Sequence, residues 1–228
     1  MKLKDKYLKE IVFGSIDGII TTFAIVTGVI GASLSYGVII ILGLANLLAD
    51  GFSMASGDYL STKSELERIK KKSDEYRLKV NKDPKDEILG LENMFREKGF
   101  SEDTILKLVK DVTSNKKAWE NLMISEEYGE YEKMDPKKTA MATFIAFVVA
   151  GLIPLSAFIF AYIFESFRDY ASMISIILTG FALFMVGNFK AHITKKDPIK
   201  SGLETLFIGG IAALGAFMVG FLLKEFVS

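Results

Sequence analysis

The chain has 228 residues, of which 50% are hydrophobic, with a mean hydropathy of +0.30 and 28 charged residues of each sign. This composition is too apolar for an ordinary soluble domain of this size, and a net charge of zero argues against nucleic acid as a partner. The sequence has no cysteine and one histidine, His192, which excludes disulfides, thiolate or multi-histidine metal sites, and thiol catalysis.

Charged residues are concentrated in the middle of the chain. Residues 61–138 hold 36 of them, 18 of each sign, whereas 11–60 and 139–228 are sparsely charged. Five apolar segments are long enough to cross a bilayer core as helices, which takes about 20 residues. They are residues 11–33, 36–60, 139–164, 170–189 and 201–223. The sequence therefore predicts an all-α membrane protein with five transmembrane helices and a helical cytoplasmic domain inserted between helices 2 and 3.

Lysine and arginine near the ends of these segments predict the orientation. Four lysines precede the first segment, none lies between the first two, one arginine lies between the third and fourth, and four lysines lie between the last two. This pattern places the N-terminus and the 190–200 loop in the cytoplasm. We predict transmembrane helices 1 and 2 in 1–60, a cytoplasmic domain in 61–138, and helices 3 to 5 in 139–228. No targeting signal is recognised, so we expect a multi-pass protein of the plasma membrane.

The central segment follows helical patterns. The stretch from Tyr59 to Val80 continues the second transmembrane helix, Asp83-Pro84 is suited to the start of another, and Gly99 is suited to its end. Ser101 can cap a further helix, and Ser114-Asn115 interrupts the chain before the last one. We therefore expect a small helical domain.

Ionisable residues inside the predicted spans are functional candidates, because a charge in the bilayer costs roughly 2.5 to 3.5 kcal/mol on insertion scales. Asp17 lies inside the first span and Asp50 near the middle of the second. Asp58 and Glu204 lie near the cytoplasmic ends of their spans, where a structural or capping role is equally compatible.

The second span carries a stripe of potential metal ligands on one helix face. Four of them recur at every fourth position, with a serine alongside: Asn46, Asp50, Met54 and Asp58, with Ser53. Oxygen donors together with a thioether suit Fe²⁺ or Mn²⁺ better than Ca²⁺ or Mg²⁺, which do not use sulfur. Alternatively, Met54 fills the core, and Asn46 and Ser53 make interhelical hydrogen bonds.

These residues resemble the vacuolar iron transporter family. The resemblance begins with Ser15–Gly18 and Thr21–Ala32, and its most specific string is Ala49–Glu65, ADGFSMASGDYLSTKSE. Similar strings follow in the last three spans: Ile153-Pro154-Leu155, Gly187–Lys190, and Gly209–Ala213 with Gly220. The resemblance covers nearly the whole chain.

The resemblance implies a homodimeric transporter, not an enzyme, without a resident cofactor. Such a protein exports Fe²⁺, and often Mn²⁺, from the cytosol in exchange for protons, for metal homeostasis and detoxification. It implies that Asp17 and Met54 bind the metal along the path. The position of Asp50 inside the second span adds a second carboxylate to this hypothesis. A carboxylate in a low-dielectric medium can carry both the metal and the exchanged proton.

In this family the cytoplasmic domain collects metal through paired glutamates and through a Met-Met pair and a glutamate on its last helix. Here Met123 and Glu126 match the last-helix pattern, but Leu122 stands where the first methionine would. Glu87 is present without two clean Glu-x-x-Glu pairs. The resemblance thus implies metal ligands at Met123, Glu126 and Glu87, whereas the alternative is an ordinary solvated face. Trp119 is expected in the core of this domain.

Small residues recur at every fourth position in two spans, which allows helices to approach closely. They are Ala24, Gly28 and Ala32 in the first span, and Ala212, Ala216 and Gly220 in the fifth. The spacing does not distinguish a contact within one chain from one between protomers. His192, just past the fourth span, is expected at the cytoplasmic interface.

Other functions remain compatible with the residues alone. Asp17 and Asp50 could form the dyad of an intramembrane aspartyl protease, although the Gly-x-Gly-Asp string of such enzymes is absent. The chain could also be a membrane-anchored metal sensor, or conduct cations as a channel. Buried aspartates speak against a mere anchor, which gains nothing from them.

Overall fold

A computed structural model describes residues 7–129 and 134–227, and these parts are helical with no strand. The α-helices of the described residues are, in chain order, α1 Leu8–Gly31, α2 Tyr36–Lys82, α3 Lys85–Glu97, α4 Glu102–Ser114, α5 Lys116–Tyr128, α6 Pro136–Ile163, α7 Ala171–Thr194 and α8 Pro198–Val227. A 3₁₀ helix, Glu165–Tyr170, precedes α7. The predicted all-α class is confirmed.

Five of the described helices are long and apolar enough to cross a membrane, namely α1, α2, α6, α7 and α8. This confirms the prediction of five transmembrane helices in a multi-pass membrane protein. The helices extend beyond the predicted spans, since α1 begins at Leu8 and α7 continues to Thr194. The reason is that hydropathy marks only the part inside the hydrocarbon, whereas helical hydrogen bonding continues into the polar flanks.

The chain divides into two compact units, each described here by itself. The transmembrane unit comprises Met1–Tyr59 and Pro136–Ser228, and the central unit comprises Leu60–Asp135. In the transmembrane unit α1 packs against α6, α7 and α8, and α7 packs against α6 and α8. Its core contains fully buried aromatic and aliphatic side chains, including Phe147, Phe158, Leu155, Val26 and Leu47. The cytoplasmic placement of the central unit stays a prediction.

Helices α1 and α8 approach each other closely through small residues. A Cβ atom added to Gly220 would lie 2.0 Å from the backbone oxygen of Gly28, so no larger residue fits without separating the helices. Nearby, the Thr27 hydroxyl donates a hydrogen bond of 3.0 Å to the backbone oxygen of Ala213. The two predicted small-residue stripes therefore meet within one chain.

The central unit has a core of its own, made where α3, α4 and α5 meet the end of α2. Its buried members are Val80, Leu91, Met94, Phe95, Ile105, Val109 and Trp119. Trp119 is 2% exposed, which confirms its predicted place in the core. The predicted continuation of α2 through Val80 is confirmed as well, since the helix ends at Lys82.

The predicted helix boundaries of the central unit hold within a few residues. Gly99 adopts a φ of +83° just after α3, and the Asn115 side chain accepts a hydrogen bond of 3.1 Å from the backbone N–H of Ala118 at the start of α5. Ser101 is the N-cap residue of α4, but its hydroxyl contacts the Thr104 hydroxyl instead of a backbone N–H. The predicted start of α3 is early, because Pro84 is the residue before the helix.

Candidate functional site

The position of Asp17 follows from the packing of α1 on α6. Gly18 lies against α6 so closely that an added Cβ atom would be 2.3 Å from the backbone oxygen of Phe147. With Gly18 turned to α6, the neighbouring Asp17 is half-buried on an adjacent face of α1. The Thr21 hydroxyl donates a hydrogen bond of 2.8 Å to the backbone oxygen of Asp17, one turn earlier.

Asp17 of α1 and Asp50 of α2 lie near each other in the transmembrane unit. Residues 32–35 connect the two helices, and α2 contacts α6, where Gly51 lies against Phe147. The two carboxyl groups lie close enough to interact electrostatically, and neither forms an ion pair with any residue between 7 and 129 or 134 and 227. Asp50 is exposed on the surface of α2, whereas Asp17 is half-buried. The structure thus places near each other the two aspartates that the sequence analysis had already paired.

The other predicted pathway residues of α2 have different surroundings. Met54 is half-buried and packs against the core of the transmembrane unit. Asn46 is half-buried as well, and its Nδ2 atom has no hydrogen-bond partner among the described residues. Ser53 is exposed. The predicted ligand face of α2 is therefore partly buried, with Met54 against the core and with Ser53 and Asp50 at the surface.

Asp58 has a partner that sequence reasoning missed. The hydroxyl of Thr143, a completely buried residue of α6, donates a hydrogen bond to Asp58 Oδ2. The available signal was a polar position inside an apolar span, but the pair is far apart in sequence. This contact fixes one rotamer of Asp58, which favours the structural role left open for this residue.

The remaining ionisable candidates of the transmembrane unit lie at the polar end of α7 and α8. Glu204 Oε2 is 3.5 Å from Lys190 Nζ, so its charge is compensated by an ion pair between the two helices. His192 is exposed, and no contact with another residue in 7–129 or 134–227 gives it a role.

The described residues of one chain do not complete a metal site made of carboxylates alone. Among the described residues, no three acidic or histidine side chains converge in a way that could hold a metal ion. The pair of Asp17 and Asp50 supplies two carboxylates, and further donors must come from other groups. The Met54 thioether and the Asn46 amide are the candidates on the same helix face.

The central unit brings its three predicted metal ligands to one cleft. Glu87, Met123 and Glu126 all line a cavity of about 310 Å³, together with Glu75 and Met94. The sequence alone could not show that the three predicted ligands, from α3 and α5, share one surface.

Lysine side chains already neutralise the glutamates of this cleft. Lys98 Nζ lies 2.6 Å from Glu126 Oε1, and Lys79 Nζ lies 3.7 Å from Glu87 Oε1. Met123 is half-buried and packs against the core of the central unit. A dication entering the cleft therefore has to replace ammonium groups as the partner of these carboxylates.

Comparison with known proteins identifies related chains. A family model described as the VIT family matches residues 8–221. The vacuolar iron transporter of Plasmodium falciparum (isolate 3D7) is 34% identical over 97% of this chain and 84% of its own length. That of Toxoplasma gondii is 33% identical over 96% and 74%, respectively. Vacuolar iron transporter 1 of Arabidopsis thaliana is 32% identical over 92% and 83%. The family resemblance predicted from the sequence is confirmed.

Proposed function

Because the chain belongs to the VIT family, whose members are transporters and not enzymes, we propose that it exports Fe²⁺ and Mn²⁺ from the cytosol in exchange for protons. Family membership confirms the prediction that the chain is not an enzyme and rejects the aspartyl protease. The names of the relatives refer to the vacuole, so they give the predicted plasma-membrane location no support.

The observation that carries this proposal is the pair of Asp17 and Asp50 carboxyl groups inside a unit built to lie in a membrane. Two acidic groups without a cationic partner are costly in hydrocarbon. Either a dication or protons can neutralise them, so the same pair can release one as it takes up the other. This alternation couples metal movement to opposite proton movement.

The donor set of α2 supports a transition metal as the cargo. The thioether of Met54 follows Asp50 by one helical turn, and the amide of Asn46 precedes it by one turn. Fe²⁺ and Mn²⁺ accept such mixed oxygen and sulfur donors, whereas Mg²⁺ and Ca²⁺ take oxygen alone. In this proposal Met54 discriminates against the more abundant alkaline-earth ions.

A second copy of the chain completes the path in this proposal. Asp50 and Ser53 are exposed on α2, a helix apolar enough to span a membrane. A charge facing lipid is unfavourable by roughly 2.5 to 3.5 kcal/mol, and a symmetric partner covering this face would remove that cost and double the number of donors. The functional unit is accordingly a homodimer.

The central unit receives cytosolic metal at its cleft in the same proposal. A dication there replaces the Lys79 and Lys98 ammonium groups as partner of Glu87 and Glu126, with Met123 at the edge of the core as a soft donor. A membrane-anchored sensor would bind metal at the same cleft. The two functions differ in the aspartates of the transmembrane unit, which a transporter needs and a sensor does not.

The test is metal and proton flux in liposomes that contain the purified protein and a pH-sensitive dye. Fe²⁺ and Mn²⁺ are supplied separately, and wild type is compared with Asp17→Ala. Asp169→Ala is the matched control, since it removes an exposed aspartate of the 3₁₀ helix. We expect metal movement with opposite proton movement in wild type and the control, and loss of both in Asp17→Ala.

Each other result contradicts a defined part of the proposal. Full metal flux in Asp17→Ala removes this residue from the path. Metal flux without proton movement indicates a channel. No flux of either metal through a folded protein, together with metal binding by the central unit, indicates a sensor.

A further inference from the structure

We propose that the 3₁₀ helix between α6 and α7 lies in the plane of the membrane interface, with one face inserted among the lipid acyl chains. The segment is Glu165–Tyr170, preceded by Phe164, and it joins two helices that are long and apolar enough to cross a membrane. The partner of this surface is the bilayer itself. The inference concerns lipid contact and does not depend on which ion the protein carries.

The aromatic residues of the segment share one face. A 3₁₀ helix has three residues per turn, so side chains three positions apart lie on the same side. Phe164, Phe167 and Tyr170 follow this spacing, and Glu165 and Arg168 follow it on another side. The backbone N–H of Phe167 donates a hydrogen bond of 3.1 Å to the backbone oxygen of Phe164, which spans one such turn. The segment is therefore amphipathic, with an aromatic face and a polar face.

The aromatic face is exposed although its rings contact one another. The ring centroids of Phe164 and Phe167 are 6.5 Å apart, and the Phe160 ring of α6 lies 5.4 and 6.2 Å from them, respectively. These three residues are between 45% and 56% exposed, and Tyr170 is 58% exposed. Such an aromatic cluster is unfavourable in water, because exposed apolar surface lacks the stabilisation that burial provides. The cluster therefore needs a partner that the described residues do not supply.

The position of the cluster favours lipid as that partner. Phe160 lies in the last turn of α6 and connects the aromatic face to the exposed side of this spanning helix, where Ile163 is exposed too. Beyond the segment, Met173 and Ile177 of α7 are also exposed. The aromatic face thus continues the apolar surface that two spanning helices present to acyl chains. Phenylalanine on one side of an amphipathic helix is typical of a helix that lies in the interface.

The polar face suits the head-group region next to water. The charges of Glu165 and Arg168 compensate each other, since Arg168 Nη2 lies 3.2 Å from Glu165 Oε1. The Tyr36 hydroxyl donates a hydrogen bond of 3.1 Å to the backbone oxygen of Arg168, which ties the segment to the start of α2. The segment is therefore held at the ends of the spanning helices instead of projecting from them.

The test uses tryptophan as a depth reporter in the full-length protein. Trp119→Phe removes the only native tryptophan, and Phe167→Trp then places one on the aromatic face. The protein is reconstituted in phosphatidylcholine vesicles whose acyl chains carry bromine either near the head group or near the methyl end. We expect blue-shifted emission, quenched severalfold more strongly by bromine near the head group than by bromine near the methyl end. Phe164→Trp, on the same face, should give the same result.

Asp169→Trp in the same background is the matched control. Asp169 is exposed and belongs to the same 3₁₀ helix, but it lies outside the aromatic face. Its emission should be closer to that of tryptophan in water, with stronger quenching by acrylamide and weaker quenching by the brominated lipids than in the other two variants. Unchanged far-ultraviolet circular dichroism and a single elution peak in detergent establish that each variant is folded.

Each of four results overturns the proposal. Emission of Phe167→Trp as in water, with strong quenching by acrylamide, shows that the aromatic face is in water. Blue-shifted emission that neither lipid nor acrylamide quenches shows that protein, such as a second copy of the chain, covers this face. Strongest quenching by bromine near the methyl end places the segment deep in the hydrocarbon. Equal lipid quenching of Asp169→Trp and Phe167→Trp shows that the segment has no preferred face.

Discussion

Different interactions stabilise the helix packing inside each of the two compact units. In the transmembrane unit, helices meet backbone to backbone, as between Gly220 and Gly28, and a threonine hydroxyl binds a carbonyl of another helix. In the central unit, large side chains such as Trp119 fill the space between helices, and ion pairs such as that of Arg77 with Glu120 lie at the surface. Lipid provides no hydrophobic drive for helix association, so close van der Waals contact replaces it, whereas water drives side-chain burial.

The acidic residues of the two units also differ, in whether a cationic side chain neutralises them. Asp17 and Asp50 have no cationic partner among the described residues, whereas Glu87 and Glu126 each pair with a lysine. A dication that binds Asp17 and Asp50 gains the full electrostatic attraction of both carboxylates. At Glu87 and Glu126 it must first displace a lysine, so it gains only the excess of its own attraction over that of the ammonium group. The comparison therefore predicts the stronger metal affinity in the transmembrane unit, under equal access.

The largest expected effect of a single substitution on folding is that of Trp119→Ala. Trp119 is 2% exposed, and its ring lies edge-on to that of Tyr76 with centroids 6.1 Å apart. Truncation of a buried tryptophan costs about 3 to 5 kcal/mol, which is comparable to the stability of a small domain. We expect the central unit to become protease-sensitive while the protein still elutes as a single species in detergent. Limited proteolysis with mass spectrometry measures the first effect.

Trp119→Phe is the control for that experiment, since it keeps most of the buried apolar surface. It should retain protection of the central unit. Cleavage of the transmembrane helices at the same rate as the central unit in Trp119→Ala would contradict the expectation that this substitution destabilises the central unit alone.

The second prediction concerns added bulk in the transmembrane unit. Gly220→Ala places a Cβ atom 2.0 Å from the Gly28 backbone oxygen, so α1 and α8 must separate. Overpacking of this kind costs about 1 to 3 kcal/mol. Gly210→Ala, in the same helix but with open space around the new atom, is the matched control. It should be neutral or stabilising by up to about 1 kcal/mol, because alanine favours helix over glycine.

Thermal unfolding in detergent, followed by far-ultraviolet circular dichroism, separates these two variants. We expect a lower midpoint for Gly220→Ala and an unchanged or higher midpoint for Gly210→Ala. Trp119, the only tryptophan of the chain, reports on the central unit, and its fluorescence transition should be the same in both variants. Equal midpoints for the two variants would show that the contact of α1 with α8 adds nothing to stability.

Local sequence signals predicted the elements well. Hydropathy located the five spans, and Gly99 and Asn115 marked helix boundaries, because these signals depend only on residues within a few positions. The small-residue stripes predicted a close approach of helices. They did not identify the partner of α1, because spacing along one helix contains no information about its neighbour.

The parts that sequence reasoning could not predict are contacts between distant residues. The hydrogen bond from Thr143 to Asp58 joins two helices on either side of the central unit in the sequence. Likewise, Lys98 neutralises Glu126 only because the chain turns back between α3 and α5. Charge counts along the sequence treat Glu126 as available, and only the fold shows that its charge is already compensated.

The smallest predicted effect tests the surface ion pairs of the central unit. The Glu120 carboxylate accepts hydrogen bonds of 2.8 and 3.1 Å from Arg77, and one from Ser73. The hydrogen bonds from Arg77 are the main cause that lowers the pKa of Glu120 below its usual value of 4.5. A lowered folded-state pKa means that the stabilisation is present above the unfolded-state pKa and is lost as the pH falls through the folded-state pKa.

The acid titration of the central unit should therefore lose part of its steepness in Glu120→Gln. The Arg77 side chain is exposed and that of Glu120 is half-buried. Because an ion pair with a solvated partner contributes about 1 kcal/mol, the expected shift of the Trp119 fluorescence midpoint in urea is small at neutral pH and vanishes towards low pH. Glu97→Gln, which removes an exposed glutamate without an ion pair to any described residue, should leave the pH dependence as in wild type. Identical profiles of stability against pH for wild type and Glu120→Gln would show that this ion pair adds nothing to the stability of the central unit. Side-chain burial would then be what distinguishes this unit from the helices that pack through glycine.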